Sequence, residues 1–124
     1  AKAEALAADL ARAGRGTAIR VIPDAGTAAR GAAGLINCTP VGMVGYEGTP
    51  LPADAMAGAA WAFDAVYTPA DTRFLQDAEA AGLDVISGYE LFIWQGVHAW
   101  AHFAGLPLDV AALRDSLLTE EEAA

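Results

Sequence analysis

Apolar and polar residues along the chain follow two different periods, which predict alternating helices and strands. Ala- and Leu-rich stretches without an internal breaker predict helices, and short β-branched or continuously apolar runs predict strands. The predicted helices cover residues 2–13, 27–33, 72 or 73 to 81, 88 or 89 to 103, and 110–119. The predicted strands cover residues 17–22, 35–38, 61–67 and 83–86. This alternation predicts a parallel sheet in an α/β domain.

Capping residues stand where several of these helices should begin. Either Asp71 or Thr72 can cap the third predicted helix. Ser87 and Asp109 precede the last two helical runs in the same way. At the other end of the chain, the acidic residues 120–122 are predicted to form a solvated, frayed terminus.

The segments that follow the strands are the first places to look for a binding site. Ligands of open parallel sheets bind at the carboxyl ends of the strands. The run at 61–67 is apolar except for Asp64, which suits a parallel strand covered on both faces. A Gly- and Pro-rich loop covers residues 40–52, and a loop of this length in a compact domain is usually functional or mobile.

Composition and charge narrow the classes of function. The 124 residues suit one domain, and 55% hydrophobic with 19% charged residues excludes a disordered chain. The first 60 residues carry five acids and five bases, whereas residues 61–124 carry eleven acids and two bases. An acidic second half argues against a nucleic-acid partner, and the early bases favour an anionic ligand near that end.

No membrane or export signal is visible in the sequence. The apolar run that begins at Leu91 is interrupted by Gln95 and falls short of the roughly 20 residues of a membrane span. The first residues, AKAE, show no apolar signal segment. A cytoplasmic protein without a membrane partner is therefore expected, and the oligomeric state stays open, a homodimer included.

Few residues carry chemistry by themselves. Cys38 is the single cysteine, which excludes an intrachain disulfide and a Cys-rich metal site. Gln95, His98 and His102 share one helix face, but a third metal ligand is missing nearby, so no metal is expected. Tyr67 ends a predicted strand, where an aromatic residue more often borders a core than contacts a ligand.

Three linked segments are more specific than any single residue. They read INCTPVGM, FDAVYTPADTRFLQDAEAAG and SGYELFIWQGVHAWAHFAG. In order and spacing they resemble the N-A-T-P-x-G-M, D-x-x-Y-x-P-x-x-T-x-L-L and G-x-x-x-L-x-x-Q motifs of the shikimate dehydrogenase family, which includes quinate/shikimate enzymes. The resemblance runs from about Lys2 to the last helix and concerns the C-terminal, NADP-binding half of the family.

The resemblance implies an activity and a set of site residues. Family members reduce 3-dehydroshikimate with NADPH on the route to chorismate and the aromatic amino acids. The substrate-binding residues implied by position are Gln95, at the substrate hydroxyls, and Tyr67, near the substrate carboxylate. The implied cofactor-binding residues are Lys2, Cys38, Thr39, Ala65 and Gly88.

The sequence also departs from the family pattern. Cys38 stands where Ala is usual, Ala65 where a larger residue often touches the nicotinamide, and Glu90 where Gly is common. Lys2 matches the basic position near the adenosine 2′-phosphate, but only Lys2 and Ala3 of that segment are present, so the choice between NADP and NAD stays open.

The implied fold is a Rossmann-like parallel sheet flanked by helices that lacks its first strand and Gly-rich loop. Residues 1–124 would then form the C-terminal part of a dinucleotide-binding domain with its closing helices. The family's catalytic Lys and Asp lie in the absent N-terminal substrate domain, so no catalytic residue is expected in this sequence and the chain alone is expected to be inactive. A NAD-preferring quinate/shikimate dehydrogenase and a non-catalytic nucleotide-binding α/β module are the alternatives.

Overall fold

Helices and strands alternate through most of the chain. The computed structural model describes residues 2–14 and 16–123. The helices are α1 (Lys2–Ala13), α2 (Ala25–Ala29), α3 (Arg73–Ala80), α4 (Gly88–Ala104) and α5 (Val110–Ala123). The strands are β1 (Gly34–Asn37), β2 (Trp61–Asp64) and β3 (Asp84–Ile86), with a 3-10 turn at Ala53–Ala55.

The three strands form one parallel sheet in the order β1-β2-β3. Asn37 pairs with Asp64 in register, and Phe63 pairs with Ile86. The carboxyl ends of all three strands therefore lie at one edge of the sheet, called here the carboxyl edge. The predicted parallel α/β architecture is confirmed.

The strand predicted at residues 17–22 is wrong. The segment alternates and is β-branched, but it joins no strand of the described sheet. A strand is defined by the neighbour to which it hydrogen-bonds, and a side-chain pattern alone does not supply that neighbour. Val21 and Ile22 are correspondingly 42% and 39% exposed.

Strand β2 ends three residues earlier than predicted. The Asp64 carboxylate accepts a hydrogen bond from the backbone N–H of Val66 at 3.0 Å. This local bond turns the chain out of the sheet, as Asp side chains commonly do two residues upstream of a turn. The chain then passes through a cis peptide bond between Thr68 and Pro69 before α3 begins.

The core lies on one face of the sheet, beneath α2, the 3-10 turn and α3. Its buried residues are apolar and include Leu35, Leu51, Met56, Ala62, Phe74, Leu75, Ala78 and Leu83. On the opposite face Ile36 and Trp61 remain 60% and 38% exposed. The prediction that β2 is covered on both faces is confirmed for the core face, whereas the opposite face is only partly covered, with Phe63 half-buried and Trp61 exposed.

The predicted caps are largely confirmed. Thr72 accepts from Leu75 N at 3.3 Å, Ser87 accepts from Tyr89 N at 3.2 Å, and Asp109 accepts from Ala111 N at 2.9 Å. Helix α5 continues through Ala123, and the fraying expected at residues 120–122 stays a prediction.

Helix α2 begins two residues before the predicted helix. Asp24 accepts from Thr27 N at 2.8 Å and caps it. Within the described ranges, no helix combines the length and apolar character needed to cross a membrane.

Candidate cofactor and substrate site

A buried polar cluster lies at the carboxyl edge. It consists of Asn37 at the end of β1, Asp64 at the end of β2 and Thr72 at the start of α3, which are 3%, 0% and 0% exposed. Buried polar groups are stable only when they are hydrogen-bonded. Each member of this cluster has that bonding, and no buried side-chain N or O atom of the described residues lacks a partner.

Asp64 is the centre of the cluster. One carboxylate oxygen accepts from Asn37 Nδ2 at 2.9 Å and from Val66 N at 3.0 Å. The other accepts from Thr72 Oγ1 at 2.6 Å. The carboxylate thus joins the end of β1, the turn after β2 and the first turn of α3.

Asn37 also forms hydrogen bonds with the loop that follows β1. Its Nδ2 also donates to the carbonyl of Val41 at 3.1 Å, and its Oδ1 accepts from the backbone N and the Oγ1 of Thr39 at 3.0 and 2.7 Å. Cys38 and Thr39 therefore sit on a fixed turn with exposed side chains. These are two of the residues that the sequence assigns to the cofactor.

Gly88 meets the end of β2 at very short range. A Cβ on Gly88 would lie 2.3 Å from the Val66 carbonyl oxygen and 2.7 Å from that of Ala65. Only glycine allows this approach, since the neighbouring atoms are backbone and cannot move aside. Gly88 and Ala65, both predicted cofactor residues, are therefore in contact at the carboxyl edge.

Two hydrogen bonds fix the loops around this contact. Ser87 Oγ donates to the Ala70 carbonyl at 2.7 Å, which ties the start of α4 to the segment before α3. Val44 N donates to the Thr68 carbonyl at 3.1 Å, which ties the Gly- and Pro-rich loop to the segment after β2. The loop is thus held against the carboxyl edge.

The two predicted substrate residues are linked through α4. The ring of Tyr67 stacks on Phe92, with centroids 5.1 Å apart and planes 13° apart. Phe92 and Gln95 are three residues apart on the helix and share a face. Tyr67 is 49% exposed and the Gln95 side chain is exposed too, so both are open to a ligand.

Gln95 borders an apolar cleft of about 250 Å³ between α4 and α5. Its other lining residues are apolar or glycine: Phe92, Ile93, Gly96, Trp100, Leu108, Leu113 and Leu117. An exposed amide at the mouth of an apolar cleft can orient a polar ligand by hydrogen bonding while the cleft contacts its carbon atoms.

A bidentate ion pair connects α5 to the first turn of α4. Arg114 Nη1 and Nη2 donate to Glu90 Oε1 and Oε2 at 2.9 and 2.7 Å. These bonds lower the pKa of Glu90 below its ordinary value and raise the pKa of Arg114 above its own. Glu90, which departs from the glycine of the family pattern, thereby holds α5 against the first turn of α4.

Lys2 stands apart from the residues described so far. It is exposed in the first turn of α1, a helix in which no residue is buried. Its assignment to a cofactor phosphate stays a prediction. Among the residues that the structure describes, no group of three or more His, Cys, Asp or Glu side chains could hold a metal ion.

The chain is similar in sequence and in structure to shikimate and quinate dehydrogenases. A shikimate dehydrogenase (NADP+) of Halorubrum lacusprofundi is 40% identical over 116 residues, which cover 94% of this chain and 42% of that protein. The structure of quinate dehydrogenase from Corynebacterium glutamicum in complex with NAD superposes with a TM-score of 0.83 at 32% identity, covering 95% of this chain and 43% of that one. No family model matches the chain.

A second solved structure carries both kinds of ligand. Shikimate 5-dehydrogenase from Thermus thermophilus, in complex with NADP(H) and shikimate, superposes with a TM-score of 0.75 at 35% identity over 92% of this chain and 40% of that one. The chain is a homologue of part of the shikimate and quinate/shikimate dehydrogenases. It spans about 42% of the length of the Halorubrum relative.

The structure brings together most of the residues predicted for the site. Thr39, Ala65 and Gly88 follow the three adjacent strands, and Tyr67 reaches α4 through Phe92. Sequence reasoning missed Asp64 and Thr72 as members of the site. Asp64 gave a signal, since a single carboxylate in an otherwise apolar strand must be hydrogen-bonded if the strand is buried.

Proposed function

We propose that this chain forms the nicotinamide side of the cofactor pocket and supplies the substrate glutamine of a shikimate dehydrogenase. The reaction is the NADPH-dependent reduction of 3-dehydroshikimate to shikimate, a step of chorismate and aromatic amino acid biosynthesis. The observation that carries the proposal is the convergence of Thr39, Ala65 and Gly88 at the carboxyl edge of a parallel sheet, where nucleotides bind in this class of fold.

The cofactor residues act by shape and backbone contacts. Gly88 carries no side chain, so its backbone can meet the carboxamide of a nicotinamide placed over Ala65. Cys38 and Thr39 line the ribose side of the same pocket. NADPH supplies the hydride when it is bound, and the protein's part is to hold the reacting carbon against the substrate.

The substrate residues lie on the side of α4. The amide of Gln95 offers two donors and an acceptor oxygen, which suits the neighbouring hydroxyls of a polyhydroxy ring. The phenol of Tyr67, held by its stacking on Phe92, donates to the substrate carboxylate. No residue of this chain is assigned the catalytic proton transfer, so the 124-residue chain by itself is expected to give no turnover with NADP+ and shikimate.

A NAD-preferring quinate/shikimate dehydrogenase is the second candidate. The superposition on the Corynebacterium quinate dehydrogenase, at a TM-score of 0.83, favours it. The two candidates differ in the charge near the adenosine ribose, where Lys2 would serve a 2′-phosphate. Under either candidate the partners are small molecules, and we place the protein in the cytoplasm.

The experiment that tests the proposal is a titration of the 15N-labelled chain followed by NMR. NADP+ should shift the backbone amides of Thr39, Val66 and Gly88, and shikimate should shift those of Tyr67 and the side-chain amide of Gln95. The side-chain amide of Gln76, exposed on α3, is the internal control and should not respond. The absence of shifts at the carboxyl edge with NADP+ and with NAD+ alike would contradict the proposal.

A further inference from the structure

We propose that Asp64, acting through Asn37, fixes the hydroxyl of Thr39 as a hydrogen-bond acceptor for a hydroxyl of the nicotinamide ribose. This inference rests on the proposed cofactor role of the carboxyl edge. It specifies that Thr39 accepts, and the ligand donates, in the hydrogen bond between them. It makes Asp64 and Asn37 positioning residues, and it makes Thr39 the residue that contacts the ligand.

The direction is set at Asp64. Its carboxylate is wholly buried and accepts three hydrogen bonds, from Asn37, Val66 and Thr72. A carboxylate only accepts, so the side chain of Asn37 must turn its NH2 group toward Asp64. The amide oxygen of Asn37 then faces Thr39, as the bonds to Thr39 N and Oγ1 require.

Asn37 has no capacity left for a ligand. Its two N–H groups are used by Asp64 and by the Val41 carbonyl, and its oxygen accepts two bonds from Thr39. An amide offers two donors and two acceptor sites, and all four are occupied. Asn37 therefore serves the site only by orienting Thr39.

The hydroxyl of Thr39 is left with acceptor capacity alone. Its single proton is donated to Asn37 Oδ1 at 2.7 Å, and its oxygen accepts from Val41 N at 3.3 Å. A hydroxyl oxygen has two acceptor sites, so one remains, and the Thr39 side chain is exposed. The ligand group at this position must be a donor, which excludes a phosphate or carboxylate oxygen.

Strand spacing selects the ribose as the source of that donor. Thr39 follows β1 and Gly88 follows β3, which are two strand spacings apart, roughly 10 Å. A carboxamide that meets the Gly88 backbone does not reach Thr39 as well. With the carboxamide placed at Gly88, the donors of the same nucleotide that are left for Thr39 are the hydroxyls of the ribose attached to the nicotinamide ring.

The test compares nicotinamide mononucleotide with two analogues in which the ribose 2′- or 3′-hydroxyl is replaced by fluorine, which cannot donate. Dissociation constants are measured by NMR titration of the full chain. The unsubstituted chain should bind one of the two analogues roughly two- to tenfold more weakly than the parent, the range for one lost hydrogen bond. Thr39→Val should remove this preference, whereas Thr39→Ser should keep it.

Asn37→Leu, a near-isosteric change, tests the relay itself. It leaves Thr39 in the chain but frees its hydroxyl, so the preference for the parent nucleotide should fall toward that of Thr39→Val. If Asn37→Leu does not fold, the exposed Thr39 pair still decides the outcome. If the unsubstituted chain and all variants prefer the parent nucleotide over the fluorinated analogues to the same extent, this inference alone is overturned. If the chain binds no nicotinamide nucleotide, the proposed function is overturned.

Discussion

At the scale of single residues, Asp64 determines the order of the carboxyl edge. Its buried carboxylate is shared by Asn37, Val66 and Thr72, which lie on three different elements of the chain. Any replacement of Asp64 by a residue that cannot accept these bonds should lower the free energy of unfolding, because it leaves several buried donors without a partner.

Asp64→Ala should lower the free energy of unfolding by about 3 kcal/mol, because it orphans three donors in a buried site. Urea denaturation followed by circular dichroism measures the change. Asp84→Ala, an exposed carboxylate on β3, is the matched control and should change stability by less than about 0.5 kcal/mol. Equal effects of the two changes would refute the central place given to Asp64.

Gly88→Ala should destabilise the chain by about 2 kcal/mol and displace the start of α4, because the new Cβ meets two backbone carbonyls. Gly96→Ala, in the same helix, meets nothing within 4 Å and should stabilise it by up to about 1 kcal/mol. Thermal unfolding of both variants is the measurement. A destabilising Gly96→Ala, or a neutral Gly88→Ala, would contradict the packing described.

Single residues could be predicted best where a local hydrogen bond defines their role, as at the first residue of a helix. The caps Thr72, Ser87 and Asp109 could be predicted, because a polar side chain before a helical run has one local use. The network through Asp64 could not, because its partners lie 27 and 8 residues away and meet only when the sheet forms.

At the scale of the elements, the pattern predicted that the sheet is parallel but did not predict the length of every strand. Residues 17–22 have the composition of a strand, yet they have no place in the described sheet, since pairing is a long-range property. The predicted run at 61–67 ends at Asp64 because a side-chain hydrogen bond competes with the ladder.

The docking of α5 on α4 should weaken in acid. Arg114 lowers the pKa of Glu90 through two hydrogen bonds, and a lowered carboxylate pKa stabilises the folded state above the ordinary value of 4.5. That contribution is lost as the pH falls through the lowered pKa. It is expected to be modest because the Glu90 side chain is 46% exposed.

Backbone amide shifts of α5, followed by NMR from pH 7 to pH 3, measure this transition. Glu90→Gln should remove it, while Glu79→Gln, an exposed change on α3, should leave it in place. An α5 transition that persists in Glu90→Gln would assign it to another group.

At the scale of the whole molecule, one face of the sheet carries the core and the carboxyl edge carries the site. The chain spans about 42% of the length of the Halorubrum shikimate dehydrogenase, so under the proposed function it contributes only the surfaces that its own residues form. Those surfaces are the turn at Thr39, the contact of Gly88 with Ala65, and the α4 face with Gln95. Under the proposed function, these three surfaces serve one reaction together.

Activity of a chimera tests that claim most directly. The chain replaces the matching 116-residue segment of the Halorubrum enzyme, and NADP+ reduction with shikimate is measured. The chimera should be active, and Gln95→Ala within it should lower kcat/KM by roughly 5- to 150-fold, which corresponds to about 1–3 kcal/mol for a polar contact left unpaired. Gln76→Ala is the control and should leave kcat/KM unchanged. A folded chimera without activity, or one whose kcat/KM is indifferent to Gln95→Ala, would contradict the account.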